Sequence, residues 1–147
     1  MPTTSVRGSG QPHHAERGGD HLQTAVRDVM TPGVVTISED ASLLQALRAI
    51  RAHDVHAILV VGARDPKPIG WLTVDGLLEW IGQDASLLCA RDAISEMPAV
   101  IDPLASARDA LAMLSQPDTQ HLLVCRQPDG APEGVVTAVN LVTLEHG

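Results

Sequence analysis

The chain has 147 residues, 44% of them apolar, yet it holds no Phe, no Tyr and only two Trp, Trp71 and Trp80. Ten basic against 18 acidic residues leave a formal charge of -8, which opposes phosphate backbones and anionic membrane surfaces, and the missing Phe and Tyr remove the stacking platforms of single-strand binders. At ~100–200 residues per domain, the length fits one domain or two small halves sharing a core. The longest aliphatic run, Ala57–Val61, has five residues, where a membrane helix needs ~20. No basic-then-apolar leader opens the chain, and Cys89 and Cys125 lack the spacing of a disulfide framework. Cys125 ends an apolar run and reads as a core thiol. A soluble, reduced, cytoplasmic globular protein is expected, without nucleic-acid or membrane partners.

Residues 1–21 hold four of the 12 glycines and one large aliphatic residue, Val6, too little apolar surface to offset the entropy of ordering them. They are expected to form a flexible tail. His13, His14 and His21 with Asp20 could be read as metal ligands, but nothing fixes their geometry, so no metal is expected. The first copy of the body, 22–82, opens on Val26-Arg27-Asp28-Val29-Met30-Thr31 and the turn signal Thr31-Pro32-Gly33, then the β-prone run Val34–Ile37. Ser38, Glu39 and Asp40 offer helix-start chemistry ahead of the stripe Leu43, Ala46, Leu47, Ile50. Strand Ala57–Val61, a polar hairpin through Asp65–Pro68, strand Ile69–Thr73 and a short helix around Gly76–Trp80 follow. After a linker over 83–90, a second copy over 91–147 repeats this order. Its stripe is Ala107, Ala110, Leu111 and Leu114, its strands His121–Cys125 and Gly134–Thr137, and its last helix Val139–Leu144.

The two copies align at a constant offset of 64 with fifteen identities and no gap, among them Arg27-Asp28 with Arg91-Asp92, Leu59-Val60 with Leu123-Val124, and Gly70 and Thr73 with Gly134 and Thr137. Such regularity across strand-, helix- and loop-like segments indicates duplication. Each copy is β-α-β-β-α, giving an α+β fold of two repeats packed as a pseudo-twofold pair, since a unit of ~55 residues is marginal alone.

Two copies of this order, with Val26–Thr31, Leu59-Val60-Val61, Gly70-Trp71-Leu72-Thr73 and Gly134–Leu141, resemble a stand-alone tandem pair of cystathionine β-synthase (CBS) domains, a Bateman module. The resemblance implies a non-enzymatic regulatory or sensor module, often homodimeric, with no required cofactor. Clefts between the paired domains of such modules bind adenosine-type ligands such as AMP, ATP or S-adenosylmethionine. It also implies that the Thr ending the third strand offers a hydroxyl, Thr73 or Thr137, and that an acid three residues later reads the ribose. Here that position holds Asn140 in one copy and Gly76 in the other, with Asp75 one place early, ~100° around a helix. Thr36, Ile37, Ile101, Leu59 and Leu123 are the residues expected around a base, and His121 is the nearest candidate cation. No Lys or Arg follows either Thr, which favours a ligand with little negative charge over a triphosphate.

Plainer readings stand beside these. Thr73 and Thr137 suit strand ends and helix caps; Arg27 and Arg91 each adjoin an Asp that can pair with them; His56 and His121 suit satisfied or exposed positions; Trp71 and Trp80 suit a core or an interface. The missing ribose acid also leaves open an alternative, a CBS-fold protein-interaction module that has lost nucleotide binding. Either reading allows an unidentified regulated protein as partner. The chain carries no nucleophile–base arrangement, zinc-protease motif or phosphate loop, so an enzyme is not expected.

Overall fold

The computed structural model describes residues 21–126 and 130–146. The tail expected over 1–21, with His13, His14 and Asp20, lies outside this range except for His21. In chain order the elements are α1 (Val26–Val29), β1 (Thr31–Pro32), β2 (Thr36–Ser38), α2 (Leu43–His53), β3 (Ala57–Val61) and β4 (Pro68–Thr73). Three 3-10 turns follow, Gly76–Trp80, Ala85–Leu87 and Ala90–Ala93, and then β5 (Ala99–Ile101), α3 (Ala107–Leu114), β6 (Leu122–Cys125), β7 (Pro132–Val136) and α4 (Ala138–His146). The fold is mixed α+β, as expected, and it divides into two compact units. The first is Gly33–Ala99; the second combines the described residues up to Pro32 with those from Val100 onward.

In the first unit, β3 lies between β2, parallel to it, and β4, antiparallel to it. Ile58, Leu59 and Val60 are fully buried, because a central strand covered on both faces reads as a continuous apolar run. Strand alternation sends Ile58 and Val60 to the helix side, where they join Leu43, Ala46, Leu72, Ala90 and Ala93 in one cluster. Leu59 faces the other way, in register with Trp71, and Trp71 is as buried as the plainer reading expected. The second unit has the order β1-β7-β6-β5, with Leu122, Leu123 and Val124 fully buried. Cys125 is buried beside them, and burial, with Glu133 and Asp102 nearby, pushes its thiol pKa up.

The helix starts differ from the sequence expectation. The N-cap of α2 is Ser42 rather than a residue of 38–40: its hydroxyl accepts from the Gln45 amide at 3.1 Å while the Gln45 side chain accepts from the Ser42 amide at 2.9 Å. Ser106 and Asp109 repeat this reciprocal pair on α3. Ser-x-x-Gln and Ser-x-x-Asp satisfy two otherwise orphaned amide donors, which 38–40 has no spacing to do. Strand β2 begins at Thr36 rather than Val34, although the Val35 carbonyl already accepts from the Leu59 amide. Leu111, expected on the buried stripe of α3, is exposed; the Ala residues 107 and 110 carry that contact instead.

Each unit is completed by a segment that the sequence repeat assigns to the other copy. Residues 24–32 dock onto the second unit through Val26 N–H to Ala105 O (2.8 Å), Arg27 N–H to Pro103 O (2.9 Å) and Ala107 N–H to Thr24 O (2.8 Å). Their repeat equivalents, 88–96, dock onto the first unit through Ala90 N–H to Ala41 O, Arg91 N–H to Glu39 O and Leu43 N–H to Leu88 O. Both segments then add an edge to a sheet. Thr31 and Pro32 pair with Val135 and Gly134, and Ser95 and Glu96 exchange backbone bonds with Trp71. Glycine on the receiving strand makes room. A Cβ on Gly134 would lie 2.6 Å from both Met30 Sδ and the Thr31 carbonyl oxygen, and one on Gly70 would collide with the Ile94 side chain. Compact unit and sequence repeat are therefore out of step at their openings.

Two outcomes follow for stability. Gly134→Ala should lower it by about 1–3 kcal/mol, since the Thr31 carbonyl cannot move aside as a flexible side chain can; thermal unfolding reads this as a lower Tm. Ser42→Ala should cost about 1 kcal/mol through loss of the cap, measured by urea unfolding, whereas Ser38→Ala should cost clearly less.

Candidate functional site

Thr73 and Asp75, and Thr137 and Asn140, lie where β4 and β7 pass into the helical turn behind them. In the first unit Thr73 ends β4. Its hydroxyl accepts from the Gly76 amide at 3.0 Å, capping the turn, and shares a 2.8 Å hydrogen bond with Ser95 Oγ on the docked segment. Gly76 has no space for a side chain, since a Cβ there would lie 2.6 Å from Ser95 Oγ and 3.1 Å from Thr73 Oγ1. Asp75 occupies the N-cap position of the turn without a side-chain cap bond and is exposed.

The second unit uses the same positions, with an asparagine in place of the glycine. Asn140, the repeat equivalent of Gly76, places its amide between the two hydroxyl residues. Its Oδ1 accepts from the Thr137 amide at 2.8 Å and from Thr137 Oγ1 at 3.2 Å. Its Nδ2 donates to the Val29 carbonyl at 3.0 Å and to Thr31 Oγ1 at 3.2 Å. The amide orientation is chemically fixed, because the Thr137 amide can only donate and the Val29 carbonyl can only accept. All four hydrogen-bonding positions of Asn140 are engaged within the unit. The expected ribose contact therefore has a structural occupation, for which Asn has the two donors that Asp lacks. Among the described residues, what stays open at this junction is the O–H of Thr31 and the lone pairs of Thr137 Oγ1.

The residues expected around a base divide between faces. In the first unit Thr36 stands opposite Leu59, and Leu59 opposite Trp71, so these three and Thr73 share the face away from α2. Ile37 pairs with Val60 and packs on the helix-side cluster. Ile37 and Leu59 thus point to opposite sides of one sheet and cannot enclose the same ring. In the second unit Ile101 and Leu123 are both buried, and His121 is half-buried immediately before β6.

Sequence reasoning missed Thr31 and Ser95. They are hydroxyl residues at matching repeat positions but not identical, so a count of identities passes over them. It also placed the arginine pairs wrongly. Arg91 pairs not with Asp92 but with Asp40, at 2.6 Å, which raises the guanidinium pKa; the Asp92 carboxylate instead accepts from the Cys89 amide. At the position matching Asp40 the second unit has Leu104, and Arg27 has no ion-pair partner among the described residues.

A groove of about 290 Å³ lies on the helix side of the first unit, lined by Leu43, Leu47, Leu77, Trp80, Ile81 and Ala85 among others. Leu78, Ile81 and Leu87 in the same turns are 66%, 76% and 81% exposed. Among the described residues no three His, Cys, Asp or Glu side chains converge as a metal site, and no helix is long and apolar enough to cross a membrane.

Residues 26–83 match the family described as CBS domain. No curated protein matches the chain. Among solved structures, the CBS domain of the bacterial CNNM/CorC family Mg2+ transporter in complex with ATP is 22% identical, with a TM-score of 0.76, covering 92% of this chain and 99% of that one. The CBS domain of a CBS domain containing membrane protein from Sphaerobacter thermophilus is 21% identical, with a TM-score of 0.75, covering 90% and 96%. Hypoxic Response Protein I with two coordinated zinc ions is 24% identical, with a TM-score of 0.66, covering 82% and 98%. At these identities the likeness is one of fold, and its extent takes in both sequence repeats. Residues 26–83 thus carry the sequence pattern of a CBS domain, and the chain shares the fold of solved CBS-domain structures over most of its length.

Proposed function

We propose that the chain is a non-enzymatic regulatory or sensor module of the cytoplasm that binds an adenosine-type ligand, with AMP, ATP and S-adenosylmethionine as the classes to test. The observation that carries this reading is the junction after β7, where Thr31 and Thr137 are held together through Asn140 with one hydroxyl donor and one acceptor still open. A donor beside an acceptor complements a sugar hydroxyl, which offers both, better than a phosphate, which only accepts. The net charge of -8 and the absence of Lys or Arg after Thr137 weigh the same way. The ATP-bound CBS domain among the solved structures supports the ligand class. Such a ligand is a regulatory signal, not a required cofactor.

A second reading, an interaction module without a ligand, is favoured by the apolar groove of the first unit. The occupant we infer is a second copy of this chain. Arg48 and Arg51 are exposed on α2, while Glu79 and Asp84 are exposed on the turns that form the other wall. A twofold contact would set the arginines of one copy against the carboxylates of its partner over a shared apolar centre. A regulated target protein remains part of both readings, its identity open.

Isothermal titration with adenosine, AMP, ATP and S-adenosylmethionine should give a saturable response, weakened at least fivefold by Thr137→Ala; a flat response to all four at millimolar concentration would falsify the ligand reading. Ile81→Asp should shift the sedimenting species from dimer to monomer, and an unchanged sedimentation coefficient would remove the groove as the dimer contact.

A further inference from the structure

The second unit depends on a segment whose tertiary anchoring is short. Strand β1 has only two residues, and α1 is a single turn. Beyond the buried Val26, the backbone bonds already described and the seat of Met30 over Gly134, one side chain among the described residues reaches across to hydrogen-bond it. That side chain is Asn140, donating both to Val29 O and to Thr31 Oγ1. The first unit has no counterpart, because Gly76 stands at the equivalent position. There Ser95 bonds Thr73 directly, and the Arg91–Asp40 pair adds a second tie to the docked segment.

We propose that Asn140 is a positioning residue that fastens the segment 24–32 to α4, and that the ligand-facing groups at this junction are the hydroxyls of Thr31 and Thr137. The second clause rests on the ligand reading above; the first does not. The argument is one of capacity. A primary amide has two N–H donors and two acceptor lone pairs, and here all four have protein partners. A ligand taking any of them would have to displace Val29, Thr31 or Thr137. The Thr31 hydroxyl accepts from Asn140 and keeps its own proton to donate; the Thr137 hydroxyl donates to Asn140 and keeps its lone pairs. A ligand hydroxyl that accepts from Thr31 and donates to Thr137 closes the network without breaking a bond. The segment then both completes the sheet and supplies half of the site, so that ligand and segment hold each other in place.

Hydrogen exchange on the full chain, with no ligand present, tests the fastening. Asn140→Asp keeps an oxygen to accept from Thr137 but loses both donors, and at pH 7 it sets a carboxylate against the Val29 carbonyl. Protection of the Val26 and Arg27 amides should fall at least tenfold, while that of Leu123 and Val124 in β6, which does not touch the segment, stays as in wild type. Lowering the pH towards 4 should restore part of it in this variant alone, as the protonated carboxyl regains one donor. Undiminished protection in Asn140→Asp would sink the fastening role, as would equal loss throughout the sheet. Adenosine titration tests the second clause: Thr31→Val should weaken binding at least fivefold, and an unchanged affinity overturns it. If wild type takes up no adenosine, the ligand reading and the second clause fall together, and the protection factors still decide the first.

Discussion

The rest of the structure depends on a close approach of two backbones. At Gly70 and at Gly134 a strand gives up its side chain so that Ile94 or Met30 can lie against its main chain. A methyl group at Gly134 would meet a carbonyl oxygen at 2.6 Å, and so the constraint is steric, enforced by backbone. Everything at the candidate site is placed by it. With Ile94 seated over Gly70, the next residue, Ser95, arrives at the Thr73 hydroxyl; with Met30 seated over Gly134, Thr31 arrives within reach of Asn140. The glycine and the junction three to six residues beyond it act as one device, the first admitting the segment and the second receiving it, through Thr73 in the first unit and through Asn140 in the second.

Much of this was legible in the sequence. Duplication follows from residue identities at a single offset, and the α+β order and the doubly covered central strands follow from hydrophobic patterning, which depends on neighbours along the chain. What stayed hidden concerns partners far apart. The pairing of Arg91 with Asp40 rather than Asp92, and of Asn140 with Val29 and Thr31, depends on which segment each unit receives, and a repeat alignment places that segment in the wrong copy. The opposed faces of Ile37 and Leu59 depend on strand register, which periodicity within each strand cannot supply. The helix starts were missed for a smaller reason: Ser38, Glu39 and Asp40 have suitable chemistry, but the reciprocal bond needs a partner three residues on, which Ser42 and Ser106 have.

The two halves have kept one architecture and diverged in chemistry. A single position, glycine in one unit and asparagine in the other, changes a direct hydroxyl–hydroxyl contact into an amide-bridged network. Its neighbour in function, Asp40 in one and Leu104 in the other, moves a charge pair out of the second unit. Duplicated positions need not do duplicate work, and in this chain the polar equipment at the two strand-to-helix junctions differs.

The out-of-step segments also set an order of events for the chain. The first unit is one continuous stretch, Gly33–Ala99, and all its partners are present once that stretch has been synthesised. The second cannot close its sheet edge until the strand Pro132–Val136 meets Thr31 and Pro32, which precede the whole of the first unit in the chain. Contacts so distant in sequence form slowly, because a long loop must close before any of them contributes. The residues around Thr31 therefore wait for their sheet partners while the whole of the first unit is made, and the second unit closes after the first.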